Sequence, residues 1–296
     1  MCILEFKNVH RSYGSREVLK GIDLQIRQGD VVGLLGRNGA GKTTLIKMVM
    51  GLLGSQQGQV LVFGSDPRKD PVEVKRRIGY VSEDQELPSF LKVQEVIDLY
   101  RGLFPHWDAK FADELASRFE LPSGRKIKDL SRGQARQVAL LCAVSHRPEL
   151  LILDEPAGGL DPAARRDFLE TSIQLLNEEG TTILFSSHHM TDVERMASRL
   201  VMIHENEKWI DSDLDDIRQG YCLAQIPLSQ ASDPERFLGN PQCICVNPRG
   251  EALHAVFELD PESCQSVLKR DFGIENSHCR TINLEEMFIE LVRRSS

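Results

Sequence analysis

The chain has 296 residues, more than a typical single domain, so we expect one large domain and a smaller one. Apolar residues make up 41% and charged residues 27%, as in ordinary globular proteins, and no apolar run approaches the roughly 20 residues needed to cross a bilayer. The net charge of −8 argues against nucleic acid as the main partner. Glu5 and Lys7 interrupt the apolar N-terminus, which therefore lacks a signal-peptide pattern, and we expect a cytoplasmic protein.

Two stretches near the start of the chain alternate between polar and apolar residues. Residues 3–9 and 18–26 both follow this pattern, which predicts two antiparallel strands with Tyr13 in the loop between them. The apolar run 31–35 comes next and has the length of a short buried strand.

A glycine-rich segment follows this run and fits the pattern G-x-x-x-x-G-K-[ST] of a phosphate-binding loop. Glycines allow backbone N–H groups to converge on phosphate oxygens, Lys42 adds a positive charge, and Thr43 offers a hydroxyl group to Mg²⁺. A helix beginning at Lys42 would point its positive end at the same phosphates. The residues that we predict to bind nucleotide are Gly36, Arg37, Asn38, Gly39, Ala40, Gly41, Lys42, Thr43 and Thr44.

Tyr13 lies upstream of this loop and has two interpretations. Its ring could stack on the adenine of a bound nucleotide, where any flat aromatic face serves. It could equally pack against the first strand. The residues alone leave both interpretations open.

A strand, a polar loop and a long helical stretch are predicted next. Residues 75–81 lead into a strand, and the polar loop that follows carries Glu83 at the strand end, where α/β folds place residues that face ligands. Residues 90–119 have helical periodicity and no strand pattern. We therefore predict an α/β domain with an inserted helical subdomain at about 84–147.

A second polar cluster follows a buried strand. A helix is predicted from Ala135 to Ser145, and the continuous apolar run 150–153 then predicts a strand covered on both faces. The run ends in Asp154 and Glu155, and an acidic pair at such a place is costly unless it meets a cation. Asp154 is a candidate ligand for Mg²⁺, and Glu155 is a candidate general base for an attacking water.

Together these motifs resemble the ATP-binding subunit of an ABC transporter, with order and spacing that match over roughly residues 3–212. The resemblance adds roles that the residues alone do not give, above all for His188. The matching segments are 36–43 as Walker A, 130–134 as the LSGGQ signature, 150–155 as Walker B, 159–161 as the D-loop and His188 as the switch histidine.

The sequence departs from the family pattern at two positions. The signature has Arg132 where the family has glycine, and an arginine there could add charge near the phosphate or simply be solvated. The position usually taken by the Q-loop glutamine aligns with Glu83, although Gln85 is nearby. Glu83 could still bind Mg²⁺ or a bound water, but it reverses the charge beside the γ-phosphate.

The resemblance implies a mechanism with ATP and Mg²⁺. Two subunits, identical or different, would form a head-to-tail dimer in which Ser131, Gly133 and Gln134 of one copy reach the ATP bound to the other. Glu155 would polarise the attacking water and His188 would stabilise the γ-phosphate, while Tyr13 falls where the family has its adenine-stacking aromatic residue.

The resemblance also implies a place and a partner. The helical subdomain would pass the motion to an integral membrane permease, so the protein would lie peripherally on the cytoplasmic face of the cell membrane. Residues 105–108 and 119–122 are similar to those of a bacterial export-type (ABC-2-like) subgroup, whose ATPases pair with a separately encoded permease.

The last part of the chain, residues 213–296, lacks these motifs. A short helix at 213–218, a strand at 252–257 and a closing amphipathic helix at 284–291 predict a small α+β accessory domain. It could support dimerisation, regulate the ATPase or only add stability. Five of the seven cysteines lie here, and without a secretory signal we expect reduced thiols.

Two other functions fit parts of the sequence. A soluble ABC-type ATPase that acts on nucleic acid or ribosomes is disfavoured by the acidic charge balance and predicts salt-dependent DNA binding. An ATP-binding regulatory module with little hydrolysis would be favoured by Glu83 and Arg132, and it predicts that turnover is absent. This second alternative is disfavoured by four intact residues, Lys42, Asp154, Glu155 and His188.

Overall fold

The computed structural model describes residues 1–83, 87–160, 162–177, 180–231 and 233–293. These residues form two compact units, Met1–Asp211 and Ser212–Ser296. Within the described ranges, no helix is both long and apolar enough to cross a membrane. Two residues of the predicted motifs, Gln85 of the Q-loop and Asp161 of the D-loop, lie outside these ranges.

An antiparallel sheet opens the first unit, as the alternating pattern predicted. Its strands are ordered β2-β1-β4. The loop that we predicted around Tyr13 is shorter than expected, because β1 continues to Tyr13 and the hairpin closes at Gly14, whose φ of 60° suits a two-residue turn. The strands are β1 (Cys2–Tyr13), β2 (Arg16–Arg27) and β4 (Gln57–Val62).

The second sheet has six strands in the order β5-β6-β7-β3-β8-β9 and forms the centre of the unit. β3, β6 and β7 are parallel neighbours in which every residue is buried, which explains their continuous apolar runs. Their carboxyl ends meet at one edge, where Leu35 pairs with Ser187 and Asp154 pairs with Ser186. The strands are β3 (Val31–Leu35), β5 (Ile78–Val81), β6 (Leu150–Asp154), β7 (Thr182–Ser187), β8 (Arg199–His204) and β9 (Glu207–Asp213).

Helices flank this sheet, and three of them occupy the segment between β5 and β6 that we predicted to be helical. The last of the three, α5, begins at Arg132 and not at Ala135 as predicted. The reason is a capping box, in which Ser131 Oγ accepts from the Gln134 amide while Gln134 Oε1 accepts from the Ser131 amide. The helices are α1 (Lys42–Val49), α2 (Pro71–Arg76), α3 (Val93–Leu103), α4 (Ala109–Arg118), α5 (Arg132–Val144), α6 (Pro162–Asn177) and α7 (Met190–Met196).

The second unit has one antiparallel sheet, ordered β11-β12-β10-β13, with helices on it, so it is an α+β unit. The strand at 252–257 and the closing helix occur where the sequence predicts them, whereas the other three strands were not predicted. Cys243 and Cys245 are buried. The elements are α8 (Leu214–Gly220), β10 (Cys222–Pro227), α9 (Glu235–Leu238), β11 (Cys243–Arg249), β12 (Ala252–Phe257), α10 (Pro261–Phe272), β13 (His278–Thr281) and α11 (Leu284–Arg293).

His146, just beyond α5, gives the first unit a predictable acid sensitivity. It is buried, its Nε2 donates to the Ile78 carbonyl oxygen at 3.2 Å, and its ring stacks on Phe104 with centroids 3.9 Å apart. Burial lowers the pKa of His146 to about 4. In the unfolded chain this pKa is about 6.5. Between about pH 6.5 and pH 4, His146 therefore binds a proton in the unfolded chain but not in the folded chain.

We accordingly expect stability to fall as the pH falls through this window. Between about pH 7.5 and about pH 5, H146Q should lose about 2 kcal/mol less of the free energy of unfolding than the unsubstituted chain. Urea unfolding followed by the fluorescence of the two tryptophans, Trp107 and Trp209, measures this difference. H106Q alters a neighbouring exposed histidine and should behave as the unsubstituted chain does; equal losses in all three chains would contradict the assignment.

Candidate active site

The phosphate-binding loop joins the end of β3 to the start of α1, and its glycines are required by the backbone. Gly41 has φ of 107°, and a Cβ atom added there would lie 2.6 Å from Leu19 Cδ2. At Gly36 an added Cβ would lie 2.7 Å from the Ile203 carbonyl oxygen. The loop is therefore packed closely against the protein, and α1 begins directly after it at Lys42, where a helix N-terminus favours an anion.

Lys42 lies beneath this loop with only 6% of its surface exposed. Its ammonium group donates to the Gly36 carbonyl oxygen at 2.7 Å and forms an ion pair with Glu155 Oε1 at 3.2 Å. A buried ammonium is tolerable only when such groups surround it. The loop and the Walker B strand, distant in sequence, are thus joined by one ion pair.

A serine that the sequence did not single out fixes the two acidic residues. Ser186 Oγ, at the end of β7, donates to Asp154 Oδ1 at 2.6 Å and accepts from the Glu155 amide at 2.8 Å. Thr43 Oγ1 also approaches Asp154 Oδ1, at 3.4 Å. The register of β6 and β7 places Ser186 beside Asp154, so its only sequence signal was a polar residue ending an apolar strand.

Glu155 lies between a cation and an imidazole ring. The residue is buried, with 7% of its surface exposed. Its Oε2 lies 2.9 Å from His188 Nδ1. Its Oε1 faces the Lys42 ammonium group but forms no hydrogen bond with it. Its φ of 45° is unusual for a residue with a side chain, and the Gly158 amide closes the turn by donating to the Glu155 carbonyl oxygen at 2.9 Å. The surrounding contacts therefore hold this carboxylate in a strained, defined position.

His188 uses one ring nitrogen in this contact. Because a carboxylate can only accept, Nδ1 carries the proton in the hydrogen bond to Glu155. Nε2 can then donate to a further group only when the ring holds both protons. This ring is half-exposed, so Nε2 is accessible to a ligand.

A cavity of about 490 Å³ lies over these groups. The predicted residues that line it are Tyr13, Asn38, Gly39, Gly41, Lys42, Thr43, Thr44, Glu83 and Glu155. Asp154 and His188 are not among the described residues that line it. Tyr13 is 48% exposed at its rim and has the Arg11 guanidinium 5.1 Å from its ring centroid. Arg16, which the sequence analysis missed, adds a second cation to the wall. The size and the polar lining suit a small charged ligand.

The signature residues belong to a different part of the unit. Ser131 and Gln134 cap α5, and an added Cβ at Gly133 would meet only Ser131 Oγ within 4 Å, at 3.9 Å. None of the three is among the described residues that line the cavity. One copy of the chain therefore does not bring the predicted signature residues to its own phosphate-binding loop.

The residues present fit a magnesium ion that is shared with phosphate. Mg²⁺ prefers oxygen ligands and usually takes only one or two from the protein, the rest being water or phosphate. The Thr43 hydroxyl and the Asp154 carboxylate supply adjacent oxygens of this kind. In the part of the chain that the structure describes, no group of three or more His, Cys, Asp or Glu side chains could hold a metal by itself.

Comparison with known proteins identifies the family of this chain. The family model for the ABC transporter matches residues 19–158. The ABC transporter ATP-binding protein YtrB of Bacillus subtilis (strain 168) is 32% identical over 287 residues, which are 97% of this chain and 97% of the relative. The chain belongs to the family of ABC transporter ATP-binding proteins. It is accordingly an ATPase, and its substrate is ATP.

Other members of the family are similar over comparable lengths. The Nod factor export ATP-binding protein I of Cupriavidus metallidurans is 31% identical over 99% of this chain and 98% of its own. A solved ATP-binding subunit of an ABC transporter is 30% identical, with a TM-score of 0.67 over 73% of this chain and 92% of its own. The dimeric structure of MJ0796, a bacterial ABC transporter cassette, shares the fold at 24% identity, with a TM-score of 0.63 over 72% of this chain and 99% of its own.

Proposed function

We propose that this ABC transporter ATP-binding protein hydrolyses MgATP in a head-to-tail dimer and thereby drives export through a separate membrane permease. The observation that carries the proposal is the line of contacts Lys42–Glu155–His188, with distances of 3.2 and 2.9 Å. It connects the phosphate-binding cation and the candidate base, which both line the cavity, with a second donor, His188.

The ion pair between Lys42 and Glu155 suggests how ATP binding prepares hydrolysis. A γ-phosphate carries more negative charge than a carboxylate, and its oxygens accept strong charge-assisted hydrogen bonds. It therefore competes with Glu155 for the Lys42 ammonium group. Once Lys42 turns to the phosphate, Glu155 Oε1 has lost this cation and becomes an acceptor for the proton of a water molecule. His188 keeps the carboxylate oriented and, when doubly protonated, donates to the phosphate.

Thr43 and Asp154 hold the magnesium ion in this proposal. Glu83, which lines the same cavity, offers a further carboxylate to the ion or to its water molecules, as the sequence analysis expected. When bound, the ion would neutralise negative charge on the phosphate groups of ATP. Ser186 orients the Asp154 carboxylate through its 2.6 Å hydrogen bond.

The second copy completes the site. Ser131, Gly133 and Gln134 do not line the cavity of their own chain, so they are available to the ATP of another copy across a head-to-tail interface. ATP stabilises the closed dimer only if it binds that state more tightly than the open one. The MJ0796 cassette, which shares this fold, is dimeric, and this supports a dimer here.

The proposals of export and of a permease partner are supported by a relative and by one exposed surface. The Nod factor export protein supports the direction of transport. The segment between β5 and β6 exposes Phe90, Leu99 and Leu103, which are large apolar side chains of the kind found at protein contacts. We propose that this surface meets the permease on the cytoplasmic face of the membrane.

A pull-down tests this partnership. The tagged chain is recovered from gently solubilised membranes of the source cells, and ATP turnover is measured on the recovered material. We expect a polytopic membrane protein to co-purify with turnover. Turnover without any membrane partner would contradict the transport proposal, and a chain that binds ATP without turnover would indicate a regulatory module.

Tyr13 should contribute to ATP affinity. Stacking of an aromatic ring on a base is worth about 1–3 kcal/mol, so Y13A should weaken ATP binding by about tenfold, whereas Y13F should retain it. Titration calorimetry with MgATP measures both values, in a chain that also carries E155Q so that hydrolysis does not interfere. Unchanged affinity in Y13A would assign Tyr13 to packing alone.

A further inference from the structure

Three cysteines of the second unit lie together beneath α10. Cys264 belongs to α10, Cys222 to β10 and Cys279 to the neighbouring strand β13. Cys279 pairs with Ala224, two residues from Cys222, and alternate residues of a strand share a face, so both thiols lie on the same face of the sheet. Both are hydrogen-bonded to the Cys264 thiol. All seven cysteines of the chain are free thiols in the structure.

The pair Cys264 and Cys279 is close to the geometry of a disulfide. The two sulfur atoms lie 3.8 Å apart. A disulfide needs about 2.0 Å between its sulfur atoms, so the two must approach by about 1.8 Å. β13 has four residues, lies at the edge of the sheet and is paired with β10 on one side. A short edge strand of this kind can shift at lower cost than a central strand.

The two thiols differ in access and in acidity. Cys264 is fully buried, as is Cys222, whereas Cys279 is partly exposed. The hydrogen bond with Cys264 lowers the pKa of Cys279 to about 7, so much of it is thiolate at neutral pH, the form that reacts with oxidants. Hydrogen bonding to Cys222 and to Cys279 raises the pKa of Cys264, which keeps its proton. Cys279 is therefore the thiol that an oxidant meets first.

We propose that Cys279 and Cys264 form a redox modification site, which hydrogen peroxide converts into a disulfide that links β13 to α10. The Cys279 thiolate attacks one peroxide oxygen, the O–O bond breaks, and the departing hydroxide takes up a proton to become water. The Cys264 sulfur then attacks the sulfur of the resulting sulfenic acid, the S–O bond breaks, and a second water leaves with the Cys264 proton. Two electrons thus pass from the two sulfur atoms to peroxide, and a dithiol reductant reverses the change.

Peroxide treatment of the full-length chain, followed by tryptic digestion without reductant, tests the proposal. Cleavage after lysine and arginine leaves Cys264 in peptide 250–269 and Cys279 in peptide 271–280. We expect these two peptides to be joined, with a mass lower by two hydrogen atoms, in a chain that still runs as a monomer on a non-reducing denaturing gel. Dithiothreitol should separate them. Cys142, on α5, should stay reduced because burial raises its pKa.

Three variants assign the roles of the thiols. C279S should slow the loss of the Cys264 thiol by at least about tenfold, because the remaining thiol is buried and protonated. C264S should leave sulfenic acid on Cys279, which dimedone captures, and should form it more slowly because the hydrogen bond that lowers the pKa is lost. C222S is the matched control: it removes the other buried neighbour of Cys264 and should leave the joined peptides unchanged.

Four outcomes would overturn the proposal. They are the absence of the joined peptides in the unsubstituted chain, a link that joins two chains on the gel, equal loss of the Cys264 thiol with and without Cys279, and a failure of dimedone to label Cys279 in C264S. A link between peptide 219–236, which holds Cys222, and peptide 250–269 would likewise overturn the pairing. The melting temperature of each reduced variant, expected to match that of the unsubstituted chain, shows that these results come from folded protein.

Discussion

E155Q should abolish ATP turnover and leave ATP binding intact. Glutamine has the shape of glutamate but cannot accept a proton from water, and loss of a general base lowers a rate by about 10²–10⁴-fold. ATP binding should not weaken, because the substitution removes the carboxylate that competes with the phosphate for Lys42 at 3.2 Å. Phosphate release and MgATP titration measure the two effects separately.

The control for this variant is E114Q, which changes an exposed glutamate on α4 whose one ion pair among the described residues is with Lys110, at 3.8 Å. Its turnover should equal that of the unsubstituted chain. Turnover in E155Q at the rate of the unsubstituted chain would show that Glu155 is not the base, and loss of ATP binding would show that its role is structural.

K42A should have the largest effect on ATP binding. It removes the buried ammonium group that faces the phosphates and leaves the buried Glu155 carboxylate without its cation, so an uncompensated negative charge remains in the cavity. We expect ATP affinity to fall by at least about a hundredfold, on the scale of breaking a buried charge pair. Titration calorimetry with MgATP measures this loss.

K47A tests whether the position of the charge matters, because Lys47 is exposed on the same helix, α1, and should keep its affinity for ATP. The buried pair also predicts an effect without nucleotide. K42A should lower the melting temperature, and adding E155Q should restore part of it, because no unpaired buried charge then remains. Equal melting temperatures for the unsubstituted chain and K42A would contradict the ion pair.

Some of the site could be predicted from the sequence because its geometry is local. The loop from Gly36 to Thr43 is a strand, a turn and a helix start in consecutive residues, and the acidic pair follows directly after a run that must be a buried strand. In both segments the backbone of consecutive residues fixes the positions of the functional groups. His188 required the resemblance, since nothing in its neighbourhood in sequence indicates that Nδ1 meets Glu155.

The missed features depend on contacts between distant segments. Ser186 bridges Asp154 and the Glu155 amide only because β7 pairs with β6 in one register, and Arg16 reaches the cavity only because the hairpin turns at Gly14. The start of α5 at Arg132 followed from reciprocal capping by Ser131, a side-chain effect that hydrophobic periodicity does not contain. Three strands of the second unit were missed because their pairing is non-local.

Sedimentation velocity of E155Q with and without MgATP tests whether hydrolysis depends on two copies of the chain. The nucleotide-sandwich arrangement predicts a monomer without nucleotide and a dimer with MgATP, which returns to monomer when ATP is removed. A chain that binds ATP in a parallel titration yet sediments as a monomer at every concentration of ATP would contradict it.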